Sequence, residues 1–201
     1  MFSSPPVHLE EEPVVVKADS PDAFPALVRA LAAGGVAIAP GDTMYGLVGI
    51  APETGELIRE IKGRGKDKPF LRLLPDPTWV RKFSPIDPPL RLLKYWPGPL
   101  TLVFPALEGG TVALRVPDSR FLKELLAAVG SPLYSTSVNR AGEAPLRTVE
   151  EMQGVFGDAV DLIYDAGDLP PGLPSTLVDV TSRPCKVLRP GAIQIPPADL
   201  V

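Results

Sequence analysis

Only one cysteine, Cys185, and one histidine, His8, occur in the 201-residue chain. A single cysteine excludes an internal disulfide and any cysteine-rich metal site. With so little histidine and cysteine, transition-metal chemistry is not expected. His8 lies in a proline-rich N-terminal stretch, away from any motif. Cys185 opens the strand-like run Cys185-Lys186-Val187-Leu188 and reads as a buried structural thiol. No apolar run reaches about 18 residues, so no membrane span is expected. No basic region followed by an apolar one opens the chain, so no secretory signal is expected and the chain reads as cytoplasmic. The net charge of −4 argues against general electrostatic binding of nucleic acid. No aromatic stripe offers itself for base stacking. The usual nucleotide-binding signatures are missing as well.

Hydrophobic residues make up 45% of the chain and charged ones 22%, enough for a core and ordinary for a folded domain. The 26 prolines fall mostly at element ends and suggest stiffened loops. Residues 1–12 read as a flexible tail, and 13–201 as one domain. Ser20-Pro21-Asp22 reads as a helix start with a capping serine. Phe24, Leu27, Val28 and Leu31 then follow helical spacing, and Gly34-Gly35 closes the helix. Val36 to Ala39 reads as a buried strand. Further strands are expected at 14–16, 70–74, 100–104, 111–116, 132–136, 162–164, 176–180 and 186–188. Helices are expected at 57–61, 90–95, 121–129 and 149–156. Repeated helices between strands predict an α/β domain with a mixed sheet. Late strands joined by short turns predict antiparallel edges.

Two short polar triplets stand out: Lys62-Gly63-Arg64 and Ser137-Val138-Asn139. In extended backbone, residues i and i+2 share a face. Two cations from one triplet, with a hydroxyl and an amide from the other, suit a polyphosphate. Lys62 to Phe70 carries four cations and two glycines; on composition alone it reads first as a solvated basic loop after a helix, and second as a phosphate site. Pro40 to Leu47 follows a buried strand and offers the hydroxyls of Thr43 and Tyr45; its alternative is a plain strand-to-helix turn. In Thr111 to Val116, Val112, Leu114 and Val116 share one face and Thr111, Ala113 and Arg115 the other. Arg115 is then open to a ligand carboxylate or phosphate, or is a surface arginine. Tyr134 to Gly142 ends a strand in polar residues, as a site or as a hydrogen-bonded turn.

In order along the chain, these segments resemble the threonylcarbamoyl-AMP synthase family, the YrdC-like domains. They are Pro40 to Leu47, Lys62-Gly63-Arg64 with Pro69-Phe70, Trp96 to Thr101, Arg115-Val116-Pro117, Ser137-Val138-Asn139 with Gly142, Pro174-Ser175-Thr176, and Leu188 to Gly191. The match covers about residues 20–193, and eight weak motifs in the right order make it specific. The resemblance implies a YrdC-like fold: a twisted mixed sheet curled around a large, positively lined cavity. It implies a nucleotidyltransferase joining L-threonine, bicarbonate and ATP into threonylcarbamoyl-AMP and pyrophosphate. A downstream threonylcarbamoyl-transfer complex would then modify tRNA.

By the same resemblance, Lys62, Arg64, Lys68, Ser137, Asn139 and Arg189 are expected at ATP. Thr43, Arg115 and Ser175 are expected at L-threonine, with Arg115 on its carboxylate. Arg147 lies outside the firm motifs but near the nucleotide. Mg2+ is expected with ATP, held by phosphates and water, with no metal site of the protein's own. Contact with RNA is allowed but not required, and no membrane is involved. The chain departs from the family at Gly41, where threonine is usual, at Met44, Phe70 and Val138. The C-terminal extension of one branch is absent, so the single-domain form is expected. A paralogue without this activity is the first rival and an RNA-binding module the second. The length also disfavours a hydrogenase-maturation carbamoyltransferase.

Overall fold

The computed structural model describes residues 14–42, 44–63, 65, 70–169 and 172–201. The expected tail at 1–12 and the site residues Thr43, Arg64 and Lys68 lie outside the described residues. Ten strands form a single mixed sheet among the described residues. In chain order they are β1 (Val14–Lys17), β2 (Ala37–Pro40), β3 (Tyr45–Ile50), β4 (Leu71–Leu73), β5 (Leu100–Pro105), β6 (Thr111–Arg115), β7 (Leu133–Ser137), β8 (Leu162–Asp165), β9 (Thr176–Asp179) and β10 (Lys186–Arg189). The helices are α1 (Ala23–Ala32), α2 (Gly55–Lys62), α3 (Leu90–Leu93), α4 (Arg120–Val129) and α5 (Val149–Phe156). The spatial order is β1-β8-β2-β3-β7-β4-β6-β5-β9-β10. The expected α/β class and mixed sheet are therefore present. No helix among the described residues is long and apolar enough to cross a membrane.

Alternation of side chains along the strands builds the layers. In β2, Ile38 joins Leu47, Ile58, Met152 and Phe156 on the α2 and α5 face. Its neighbours Ala37 and Ala39 join Leu27, Leu31, Leu122 and Leu126 on the α1 and α4 face. That half of the sheet is buried from both sides. At the other end, Leu100, Leu102 and Phe104 of β5 pack with Val112 and Leu114 of β6, Val178 and Cys185. The intervening residues Thr101, Ala113 and Arg115 face an open cavity instead. The cavity therefore sits where helices cease to cover one face of the sheet.

Two sequence expectations change. Pro40 to Leu47 neither ends a sheet nor leads into a helix; it turns a hairpin, with Pro40 opposite Tyr45 in an antiparallel β2–β3 pair. The strand β3 escaped notice because it is buried from both faces and does not alternate, and its glycines Gly46 and Gly49 read as turn residues. At α1 the capping position is Asp22, with no side-chain cap. Ser20 instead offers its carbonyl to Ala23 N at 3.1 Å, so the helix begins after one further turn. By contrast α5 starts on a full capping box, in which Thr148 and Glu151 bond each other's backbone.

Candidate functional site

The cavity has a volume of about 690 Å³. Its charged lining residues among those described are Arg115, Arg147, Arg189 and Asp42. Three arginines against one carboxylate make it positive in a chain whose net charge is −4.

The floor is built by β6. Parity along that strand sends Val112 and Leu114 to the core and leaves Ala113 and Arg115 to the cavity. Ala113 is small enough to leave room above it. Arg115 is only 5% exposed. Its Nη2 pairs with Asp42 Oδ1 across the β2–β3 turn. Its Nε is buried and has no partner among the described residues. Burial pushes the guanidinium down to about 10, which still leaves it charged at neutral pH. A buried donor without an acceptor is costly, and a ligand oxygen would relieve that cost.

The turn that carries Asp42 is tight. Gly41 N donates to Met44 O at 2.9 Å, and a Cβ on Gly41 would lie 2.5 Å from that same oxygen. The departure from threonine at this position is therefore built into the turn's geometry. Tyr45 does not offer its hydroxyl to the cavity. The hydroxyl donates to Gly167 O at 2.8 Å and accepts from Ala166 N at 2.9 Å. It thereby ties the hairpin to the loop that leads to Ser175.

Ser175 sits beside Thr101. Their hydroxyls meet at 2.7 Å, both buried. Arg189 reaches them from the sheet edge: its Nη2 donates to Ser175 O at 2.9 Å and approaches Ser175 Oγ at 3.5 Å. The β9–β10 register slips between Val187 and Arg189, and such a bulge re-aims the side chain that follows it. Burial lowers the pKa of Arg189. Gly191 follows because the chain returns against the loop at 174–176; a Cβ there would lie 2.3 Å from Pro174 O.

Ser137 lines the cavity at the end of β7. Lys62 and Asn139 stand behind it. Lys62 is buried at the C-terminus of α2, and its Nζ donates to Ser137 O at 2.6 Å, Asn139 O at 2.8 Å and Asn139 Oδ1 at 3.0 Å. Arg147 enters the lining from the N-terminus of α5, where its backbone N donates to Glu151 Oε2 at 2.8 Å. That bond and one from Thr148 N hold the Glu151 carboxyl below the usual range.

Of the sequence-expected residues, Arg115, Ser137, Ser175 and Arg189 thus share one cavity, with Arg147 beside them. Lys62 and Asn139 are second to Ser137. Asp42 and Thr101 were not singled out. Thr101 lies between core residues Leu100 and Leu102, and the same parity that selects Arg115 selects it. The place of Asp42 depends on the β2–β3 hairpin, whose second strand carries no alternating pattern. Among the described residues no group of three or more His, Cys, Asp or Glu could hold a metal ion.

The family model for Sua5, YciO and YrdC, described as telomere recombination, matches residues 29–191. The human threonylcarbamoyl-AMP synthase is 34% identical over 190 residues, covering 85% of this chain and 67% of its own. The threonylcarbamoyl-AMP synthase of Coxiella burnetii is 32% identical over 167 residues, covering 76% of this chain and 89% of its own. Among solved structures, Pyrococcus abyssi Sua5 complexed with L-threonine superposes with a TM-score of 0.78 at 25% identity, over 89% of this chain and 57% of that one. The chain thus spans a little over half of the archaeal protein. Escherichia coli YciO superposes with a TM-score of 0.78 at 26% identity, over 91% of this chain and 97% of that one.

Proposed function

The chain belongs to the Sua5, YciO and YrdC family, and on that premise we propose that it is a threonylcarbamoyl-AMP synthase. The observation that carries the reading is Arg115: a buried guanidinium, facing a cavity large enough for a nucleotide and an amino acid, with its Nε unpartnered among the described residues. A carboxylate is the group that a guanidinium receives bidentately. L-threonine supplies one, and a relative was solved with that ligand.

In this reading Arg115 holds the threonine carboxylate, with Ser175 near its side chain and Thr43 added from the turn. Arg189 and Arg147 face the nucleotide, together with Ser137 and with Arg64 and Lys68 of the basic segment. The threonine amine attacks bicarbonate, or the CO2 derived from it, giving a carbamate and water. A carbamate oxygen then attacks the α-phosphorus of ATP, and the bond to the β-phosphate oxygen breaks to release pyrophosphate. No acyl-enzyme forms, so no nucleophilic side chain is required. The chain's part is to hold the reactants together and to neutralise the charge that develops on phosphate. The described residues do not fit a resident metal, since Asp42, the one acidic lining residue, is already paired with Arg115. Mg2+ enters as part of the ATP substrate, held by phosphates and water. The product, made in the cytoplasm, passes to a separate complex that transfers the threonylcarbamoyl group to tRNA.

A second reading rests on Gly41. That residue gives the turn no hydroxyl where the family has threonine, and it suits a paralogue that keeps the fold and binds ATP without making this product. Incubation with ATP, L-threonine and bicarbonate separates the two. The proposal expects pyrophosphate release that needs all three; ATP binding without any release would select the paralogue.

A further inference from the structure

The hydrogen bonds around Lys62 fix a proton direction at the cavity wall. Asn139 Nδ2 lies 2.8 Å from Arg140 O and 2.9 Å from Glu143 O. Both are carbonyls and only accept, so the amide has one orientation. Its Oδ1 must then face Lys62 Nζ at 3.0 Å and Ser137 Oγ at 2.5 Å. An amide oxygen only accepts, so Ser137 is the donor in that bond. Its proton points away from the cavity that Ser137 lines, and its lone pairs remain for a ligand.

Lys62 is what keeps the arrangement in place. Among the described residues its ammonium meets three acceptors, two of them backbone carbonyls on either side of Val138. The link is returned by Ala141 N, which donates to Lys62 O at 2.9 Å. The C-terminus of α2, closed by Gly63, is therefore strapped from both sides to the turn that carries Ser137 and Asn139.

We infer that Lys62 is a positioning residue rather than a phosphate ligand: it orients Asn139, and through it Ser137, so that the cavity meets Ser137 as a hydrogen-bond acceptor. The ligand group at Ser137 is then a donor, a hydroxyl or an amine, and not a phosphate oxygen, which carries no proton to give. This assignment deepens the synthase reading and rests on it only for the catalytic consequence.

The first test uses the unmodified protein without ligand. The Lys62 ammonium protons, followed by nitrogen-15 NMR at neutral pH, should exchange with solvent at least tenfold more slowly than those of exposed Lys186. Exchange as fast as Lys186 would overturn the brace, whatever the protein catalyses. The second test is a double-mutant cycle with Lys62→Met and Ser137→Ala. Lys62→Met should lower kcat/KM for ATP at least tenfold, with the KM for threonine changed less than twofold. In the Ser137→Ala background the same substitution should cost less than threefold, because both act through one hydroxyl. Affinity for inorganic tripolyphosphate should be unchanged in either variant. Additive losses, or a Lys62→Met protein that folds but loses tripolyphosphate, would make Lys62 a direct phosphate ligand. Should Lys62→Met fail to fold, proton exchange and tripolyphosphate binding to Ser137→Ala still decide. An inactive wild type would remove the synthase reading and leave the exchange result standing.

Discussion

Arg115 and Lys62 are cations of nearly equal burial, 5% and 3% exposed, the first in the cavity floor and the second behind Ser137 of its wall. They are held in opposite ways. Arg115 rises from a strand and, among the described residues, meets one carboxylate and keeps a buried N–H without an acceptor. Lys62 ends a helix and, among the described residues, meets three acceptors of a single turn. Burial of a charge therefore does not by itself mark a binding site. The informative difference is whether the charge's hydrogen bonds close within the protein or stay open toward the cavity.

The largest expected effect tests the closed side of Arg115. Asp42→Ala removes the carboxylate and leaves the guanidinium buried and unpaired. Breaking a buried pair from one side costs about 3 kcal/mol or more. Urea unfolding should report that loss, and adding Arg115→Met to Asp42→Ala should recover part of it. A stability change near zero in Asp42→Ala would mean that water already reaches Arg115, and the contrast with Lys62 would fail.

The open side is tested by Arg115→Lys. The charge stays but the fork is lost, and one charge-assisted hydrogen bond is worth roughly 1.5–3 kcal/mol. The KM for threonine should rise at least tenfold, with the KM for ATP within twofold. Because burial brings Arg115 only to about 10, its charge and this KM difference should hold between pH 7 and 8. A variant impaired toward ATP instead would make Arg115 a phosphate ligand.

The two ends were unequally legible in the sequence. The strand parity around Arg115 can be read directly, since Val112, Leu114 and Val116 mark the core face and leave the arginine on the other. The partner Asp42 could not be found that way, because its position depends on a hairpin whose second strand, β3, does not alternate. Lys62 is visible as a cation in a basic segment, and its triplet and the family resemblance point to phosphate. Among the described residues it meets backbone carbonyls 75 and 77 residues away, which no local pattern encodes. The sheet's class followed from alternating helices and strands, whereas the order of its strands depends on crossovers that periodicity does not record.

A smaller effect is expected at Arg189, which is only partly committed: it bonds the Ser175 carbonyl and still lines the cavity. Arg189→Ala should raise the KM for ATP about fivefold, roughly 1 kcal/mol and so the size of one ordinary hydrogen bond. Stability should change little, since β10 is an exposed edge strand. An unchanged KM for ATP with a raised KM for threonine would assign Arg189, like Ser175, to the amino-acid end.

The smallest effect is expected at Tyr45, whose ring belongs to the core and whose hydroxyl closes within the protein as Lys62 does. Tyr45→Phe keeps the ring against Leu47 and Ile163. It removes the bonds to Gly167 O and Ala166 N. Both residues are exposed, so water replaces the lost partners and the cost is about 1 kcal/mol rather than a full desolvation penalty. The loop they belong to leads to Leu169, Pro174 and Ser175 in the cavity wall, so both KM values should rise about twofold with kcat unchanged. The pH dependence checks the assignment. Burial raises the hydroxyl's pKa above the ordinary tyrosine value of 10.0, against the lowering effect of Ala166 N–H. The folded protein therefore holds this proton more tightly than the unfolded chain does. The stability that Tyr45 contributes is complete below about pH 10 and declines as pH rises above it. The gap between wild type and Tyr45→Phe should accordingly be constant from pH 6 to 9 and narrow above pH 10. A gap that widened in alkali would mean that the Tyr45 hydroxyl is ionised more readily in the folded protein, and so is not held as a donor to Gly167.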